Sequence, residues 1–269
     1  MISWVEGVDP RAVVHEAATV HPTASIGPFA VVGPEVEIGP RCRIGPHVVL
    51  DGKVTIGADN VFYPFTTVGF PPQDLKYAGE ATSVVIGDRN VFRENCQVHR
   101  GTRGGGGVTR IGNDGYFMVA SHIAHDCTIG DHVLFANAAT LAGHVEVGDH
   151  ATIGAYSGVH QFCRVGPYAY IGGYSVVTRD ALPFCLTVGN RAHCYGVNRI
   201  GLRRQGFAPE TIARIERAVL GLFRRDRSRA ESMAAVEAEL GEVPEVRLLL
   251  DFVRGSRRGV VPIRPAAAD

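Results

Sequence analysis

The segment Ser121–Gly130, SHIAHDCTIG, sets two imidazoles, His122 and His125, and the carboxylate of Asp126 into an otherwise small and apolar run. Imidazole titrates near neutral pH, so a cluster of histidines is a candidate for general-base catalysis. A cluster of neutral imidazoles could instead hold zinc with one position left open for water. Either chemistry needs further groups, and the chain offers His99, His144 and His160 at a distance in sequence. Only two lysines occur, Lys53 and Lys76, and Lys76 lies next but one to Asp74 in a segment rich in turn residues. A cation there suits an anionic substrate.

What brings these residues together is a repeat. A branched or bulky apolar residue recurs every six positions from Val14 to Val68, again at Ile86, Phe92 and Val98, and then from Ile111 to Val177. A period of six is neither helical nor simple strand alternation. It fits a parallel β-helix, in which each unit is a short strand and a turn that returns the same side chain to the interior. Three units close a triangular coil of about 18 residues, and successive coils stack at roughly 4.8 Å. Glycine often follows the inward residue, at a bend that a side chain would crowd. Cys42, Cys96, Cys127 and Cys163 lie two positions before an inward residue, where alternation points them inward as well, so they read as small core thiols.

Two interruptions break the frame, within 69–85 and 99–110, and read as loops of about twelve and seven inserted residues. Gly104–Gly107 in the second reads as a mobile stretch, and no phosphate-loop lysine pattern accompanies it. With these insertions discounted, Val68, Val98, Ile123, Leu141 and Val159 stack on one another. Both loops, His99, His122, His125, Gly143, His144, His160 and Gln161 therefore share one of the three edges. Five of the eleven histidines beneath two loops mark a site. His132 and His150 fall on other edges and are given no role.

The remaining composition narrows the class. At 45% hydrophobic and 20% charged residues, with zero formal net charge, the chain is globular and makes no general case for nucleic acid. No signal peptide, membrane-length apolar run, disulfide framework or zinc-finger spacing is evident, so a soluble cytoplasmic protein is the expectation. The hexad beat stops near residue 185. Beyond it, Ile212, Ile215, Val219 and Leu222 fall on one helical face behind Pro209 and Glu210, and two further helices follow, with a frayed end over 256–269. The expected division is a β-helix over 1–190 and a helical domain over 191–269. The latter region is arginine-rich, a surface suited to an acidic partner.

Six motifs, QDLKYAGE (73–80), HRGT (99–102), HIAHDC (122–127), NAATLAGHV (137–145), VHQFC (159–163) and GVNRIGLRR (196–204), resemble those of the UDP-N-acetylglucosamine O-acyltransferases. The resemblance spans nearly the whole chain. It implies an all-β left-handed parallel β-helix with a C-terminal helical domain, a homotrimer with sites between subunits, and no cofactor or metal. It further implies transfer of an (R)-3-hydroxyacyl chain from acyl carrier protein to the 3-hydroxyl of UDP-N-acetylglucosamine, the first step of lipid A biosynthesis. On the matching motifs, His125 is the general base, Asp126 orients it, and the Gly143 N–H faces the oxyanion. Gln73, Asp74, Lys76, His99 and His122 are substrate contacts, His144, His160 and Gln161 line the cleft, Gly173 bears on acyl length, and Asn198 and Arg204 meet the nucleotide. The sequence departs from the family pattern at Arg191 and Ile200, on the nucleotide side. A 3-amino sugar acceptor, or a γ-class zinc carbonic anhydrase built on the same coil, are the alternative readings.

Overall fold

The structure, a computed structural model, is described for residues 4–224 and 226–264. Short parallel strands form three sheets in rotation. The first sheet runs from Val13–Val14 to Val176–Val177, the second from Thr19–Val20 to Arg164–Val165, and the third from Ser25–Ile26 to the hairpin Cys185–Val188 and His193–Val197. The result is a left-handed parallel β-helix. From Ile26 to Val177 the hexad residues point inward and are buried, and Phe62, Phe92 and Phe117 stack at 4.7 Å between successive ring centroids. Burying each such ring contributes on the order of 2–3 kcal/mol. All six cysteines are buried, and Cys42 and Cys127 donate their thiols to main-chain carbonyls.

The corners have a chemistry of their own. Glycines after the inward residue lie against the next coil: a Cβ on Gly39 would stand 2.4 Å from the carbonyl oxygen of Gly57. The left-handed backbone falls two residues later, on non-glycine residues such as Phe29, Arg41, His47, Asp126 and His144, with φ between 57° and 61°. Such a conformation costs an L-residue roughly 1 kcal/mol or more and persists because stacked coils fix it.

Both insertions leave the coil as the frame requires. Val68 pairs with Val98 across the first loop, and Val98 with Ile123 across the second. Four helices follow the hairpin: α1 (Arg199–Arg204), α2 (Pro209–Leu222), α3 (Arg229–Leu240) and α4 (Pro244–Arg254). Pro209 opens α2, whose Ile212, Ile215, Val219 and Leu222 are buried, and a Ser228/Glu231 capping box opens α3.

The end of the chain corrects one expectation. Instead of fraying after α4, the segment to Arg264 returns to the coil. Ser256 Oγ donates to the buried Asp180 carboxylate at 2.6 Å, Val261 N–H to Asp180 O at 2.9 Å, and Cys194 N–H to Pro262 O at 2.8 Å. Unpaired backbone at the last strands supplies the partners for this strap. Residues 265–269 lie outside the described residues.

Candidate active site

His125 sits at the corner where the first sheet turns into the second, immediately before the left-handed Asp126. Its Nδ1 lies 2.8 Å from Asp126 Oδ2, and the Asp126 side chain is fully buried while the imidazole keeps 14% of its surface exposed. Three donors converge on the carboxylate. Thr102 N–H reaches both oxygens at 2.9 and 3.0 Å, and the Thr102 hydroxyl donates at 2.6 Å; Asp126 N–H itself donates to Thr109 Oγ1 at 2.9 Å. An ionised carboxylate only accepts, so His125 Nδ1 carries the proton and the Nε2 lone pair is free. The tautomer a general base needs is thus assigned by the network around it.

One residue of the glycine run, Gly105, closes against this pocket, as does Gly101 ahead of the run. Arg103–Gly105 forms a single 3-10 turn, and a Cβ on Gly105 would fall 2.0–2.4 Å from the Asp126 carboxylate; one on Gly101 would fall 2.8 Å from Oδ1. Of the segment expected to be mobile, Gly105 is held against the carboxylate, whereas a Cβ on Gly104 or Gly106 would meet nothing within 4 Å. Glycine is needed because the main chain must close over a buried carboxylate.

One coil above, Gly143 lies against the His125 ring. A Cβ there would stand 2.4 Å from Cε1 and 2.6 Å from Nε2, and the Gly143 N–H has no acceptor among the described residues. His144 faces the pair: its ring meets that of His125 edge-on at 5.1 Å, stacks on Phe162 at 4.4 Å, and places Nε2 3.8 Å from Asp126 Oδ2. Burial lowers the His144 pKa, with Asp126 opposing. His122 Nδ1 pairs with Gln97 Oε1 at 3.1 Å, and burial lowers its pKa too. His125, Asp126 and His144 also form a grouping that could hold a metal ion, with ligand atoms within 4.8 Å. The Asp126 oxygens in that set are already engaged by Thr102 and His125.

A cavity of about 460 Å³ runs along this edge and the outer face of the first sheet. His122, His125, Gly143, His160, Gln161 and Gln73 line it, and Thr140, Gly158 and Val176 from successive strands supply its floor. The structure thus gathers six of the expected residues at one cleft, with Asp126 and His144 behind them. Asp74 is close enough for its charge to act on His144. Lys76 is exposed on the same loop. His99 is placed differently: it is 7% exposed beneath His122, its Nδ1 has no partner, and burial pushes its pKa down to about 4. Gly173 lies at the neighbouring corner, Asn198 caps α1 by accepting from Gly201 N–H, and Arg204 is exposed at the end of α1; none of the three lines the cavity. Arg191 and Ile200 are exposed. Sequence reasoning missed Thr102, Thr109, Gly101 and Gly105; the signal available was a glycine-rich insertion one coil below the His–Asp pair.

A hexapeptide coil with a histidine–carboxylate pair and a free amide at one corner defines a hexapeptide-repeat transferase. The bacterial transferase hexapeptide family model matches residues 17–52 and 144–179, and the model of UDP-N-acetylglucosamine O-acyltransferase domain 2 matches residues 180–261. An acyl-[acyl-carrier-protein]–UDP-N-acetylglucosamine O-acyltransferase of an Anaeromyxobacter species is 47% identical over 78% of this chain and 82% of its own length. The enzyme of that name from Syntrophobacter fumaroxidans is 48% identical over 80% and 84%. The solved structure of LpxA from Acinetobacter baumannii superposes with a TM-score of 0.92 at 39% identity, covering 94% of this chain and 99% of that one. The chain belongs to the UDP-N-acetylglucosamine O-acyltransferase family.

Proposed function

We propose that this protein transfers an (R)-3-hydroxyacyl chain from acyl carrier protein to the 3-hydroxyl of UDP-N-acetylglucosamine, the first step of lipid A biosynthesis, with His125 as general base. The observation that carries the reading is the His125–Asp126 pair, with its free Nε2 set against the Gly143 amide in the cleft. Nε2 takes the hydroxyl proton as the sugar oxygen attacks the thioester carbonyl. Asp126 stabilises the imidazolium that forms, and the Gly143 N–H donates to the oxyanion. Collapse of the tetrahedral intermediate breaks the carbon–sulfur bond, and the imidazolium returns the proton to the departing thiolate. The products are the sugar ester and the carrier thiol. No group outside the chain and its two substrates is needed for this proton balance. Gln73, Asp74, Lys76 and His122 hold the sugar and its diphosphate, His144, His160 and Gln161 line the cleft, and His99 supports His122 from beneath.

A homotrimer fits the surface. Outward positions of the first and third sheets are apolar over several coils, at Val13, Val31 and Val49 and at Val61, Val91 and Leu134, whereas the second sheet presents Glu37, Arg110, Glu146 and Arg164. Apolar outer patches on two adjacent sheets are what three parallel coils around a threefold axis bury. In that arrangement Gly173, Asn198 and Arg204 of one subunit serve the cleft of another. Among the described residues no helix is long and apolar enough to cross a membrane.

Purified protein supplied with UDP-N-acetylglucosamine and a panel of 3-hydroxyacyl carrier thioesters tests the reading, with the 3-amino sugar as a competing acceptor. We expect ester product, and His125→Ala lowering turnover by roughly 10²–10⁴-fold with the assembly intact. Near-normal turnover in that variant removes His125 as base; no transfer from any thioester by the unaltered protein removes the function.

A further inference from the structure

Loop 71–82 brings Gln73 to the cleft and carries Asp74 and Lys76, yet it pairs with no strand. Something other than sheet hydrogen bonding must hold it. Arg100, directly after the buried His99, does so. Its Nε donates to Tyr77 Oη at 3.0 Å, its Nη1 donates to Gly69 O at 2.9 Å, and its guanidinium lies over the Tyr77 ring, 5.5 Å from the centroid. Gly69 is the next-to-last residue of the strand Thr67–Phe70 from which the loop departs, and Tyr77 lies at the loop's centre. The Tyr77 hydroxyl in turn donates to Glu80 O at 2.9 Å, and Tyr77 N–H donates to Asp74 O at 3.0 Å. Lys76 N–H closes the tip on Asp74 Oδ1 at 3.0 Å. One guanidinium therefore ties the root, the centre and, through Tyr77, the far side of the loop. The coil makes room for it: a Cβ on Gly52 would stand 2.5 Å from Arg100 Nη1. Arg100 is not among the residues lining the cleft.

We infer that Arg100 is a positioning residue for the acceptor substrate, holding loop 71–82 so that Gln73, Asp74 and Lys76 meet the UDP-sugar together. The identity of that ligand rests on the function proposed above; the attachment of the loop does not. Lysine, a point charge without the planar fork, cannot span Gly69 and Tyr77 at once. Without the fork, only a fraction of molecules hold the loop in its binding form. Apparent affinity then weakens by that fraction, while chemistry after binding is unchanged.

The test is steady-state kinetics on Arg100→Met, Arg100→Lys and Tyr77→Phe, paired with limited trypsin digestion at Lys76. Arg100→Met should raise KM for UDP-N-acetylglucosamine about tenfold with kcat within about twofold. Arg100→Lys should recover only part of this. The Arg100→Met/Tyr77→Phe pair should lose less than the two single changes added together, because both remove the Arg100–Tyr77 bond, while Tyr77→Phe alone also removes the bond to Glu80 O. Cleavage after Lys76 should accelerate in Arg100→Met under conditions where the rest of the chain stays intact. An unchanged KM, a loss confined to kcat, or unchanged cleavage at Lys76 overturns the inference. If the unaltered protein shows no transfer, the proposed function fails, and digestion still decides whether Arg100 holds the loop.

Discussion

Gly143→Ala is the sharpest perturbation of the site, because it adds one methyl group and leaves every named donor and acceptor in place. The added Cβ would stand 2.4 Å from His125 Cε1, 2.6 Å from Nε2 and 3.0 Å from Nδ1. Carbon atoms settle at about 3.5–4.0 Å, so the imidazole must withdraw by about 1 Å. Gly143 is not in the left-handed region, so alanine is compatible with its backbone. The conflict is with the ring alone. Withdrawal pulls Nε2 away from the hydroxyl it must deprotonate and strains the 2.8 Å bond to Asp126. A misplacement of about 1 Å at a reacting group costs about 10²-fold in rate. We therefore expect kcat to fall about 100-fold, about 2.7 kcal/mol of transition-state stabilisation, with thermal stability and assembly close to those of the unaltered protein. The assay is product formation under saturating substrates, followed by mass spectrometry. The double variant with His125→Ala sharpens it: with the ring gone, the methyl group has nothing to displace, and the double variant should match His125→Ala. A kcat within threefold of normal in Gly143→Ala refutes the geometry. A further loss in the double variant refutes displacement of the ring as its cause.

Two further outcomes follow from the surroundings of Asp126 and His99. Thr102→Val removes the 2.6 Å hydroxyl donor but keeps the backbone N–H on the carboxylate. Loss of one charge-assisted bond predicts a fall in kcat of about tenfold with KM little changed, and a kcat within twofold of normal contradicts the orienting role. Burial first, with the nearby rings of His122 and His125 adding to it, holds the His99 pKa down to about 4. The unfolded chain takes up this proton near pH 6.5 and the folded chain only near 4. Stability therefore falls as pH drops through that window, by up to about 3 kcal/mol, with no further loss from this group below it. The drop in melting temperature between pH 6.5 and 4.5 should be smaller in His99→Gln than in the unaltered protein, and equal drops contradict the assignment.

The coil was legible because its physics repeats. An interior closed by three short strands demands an apolar residue at every sixth position, and an insertion shows as a frame that lapses and resumes. The lengths of both loops and the shared edge of His122, His125, His144 and His160 could thus be counted from the chain. What did not repeat could not be counted. The contacts of Thr102, Gly101 and Gly105 with Asp126 depend on how a single loop folds back, and four glycines in a row signal close approach as readily as motion. The strap of 256–264 was hidden because its partners, Asp180 and Cys194, lie far off in sequence at a coil end with no next coil to pair. The left-handed corner was hidden for another reason: stacking fixes a φ near 60° on Asp126 and His144, residues whose local preferences do not require it.

That corner also explains how a structural repeat becomes a reaction centre. Residues one coil apart are neighbours in space, so His125 meets Gly143 and Asp126 meets His144, as the bond from His144 N–H to His125 O at 3.0 Å records. Base and oxyanion donor are therefore brought together by the coil period itself, not by a loop that must close. At the left-handed position of these corners the period stacks one side chain on another, as it does His132 on His150 and Phe162 on His144. At Gly143 the side chain is missing, and the space its Cβ would fill is taken by the His125 ring. The free amide beside it follows from the same corner. Ala142 N–H and His144 N–H on either side are used in coil-to-coil bonds, to Val159 O and His125 O, while the Gly143 N–H is left over at the apex of the turn. A single glycine in a regular ladder thus makes room for the base beside a donor that the turn itself leaves free. Any side chain at 143 must disturb the first, even where it spares the second.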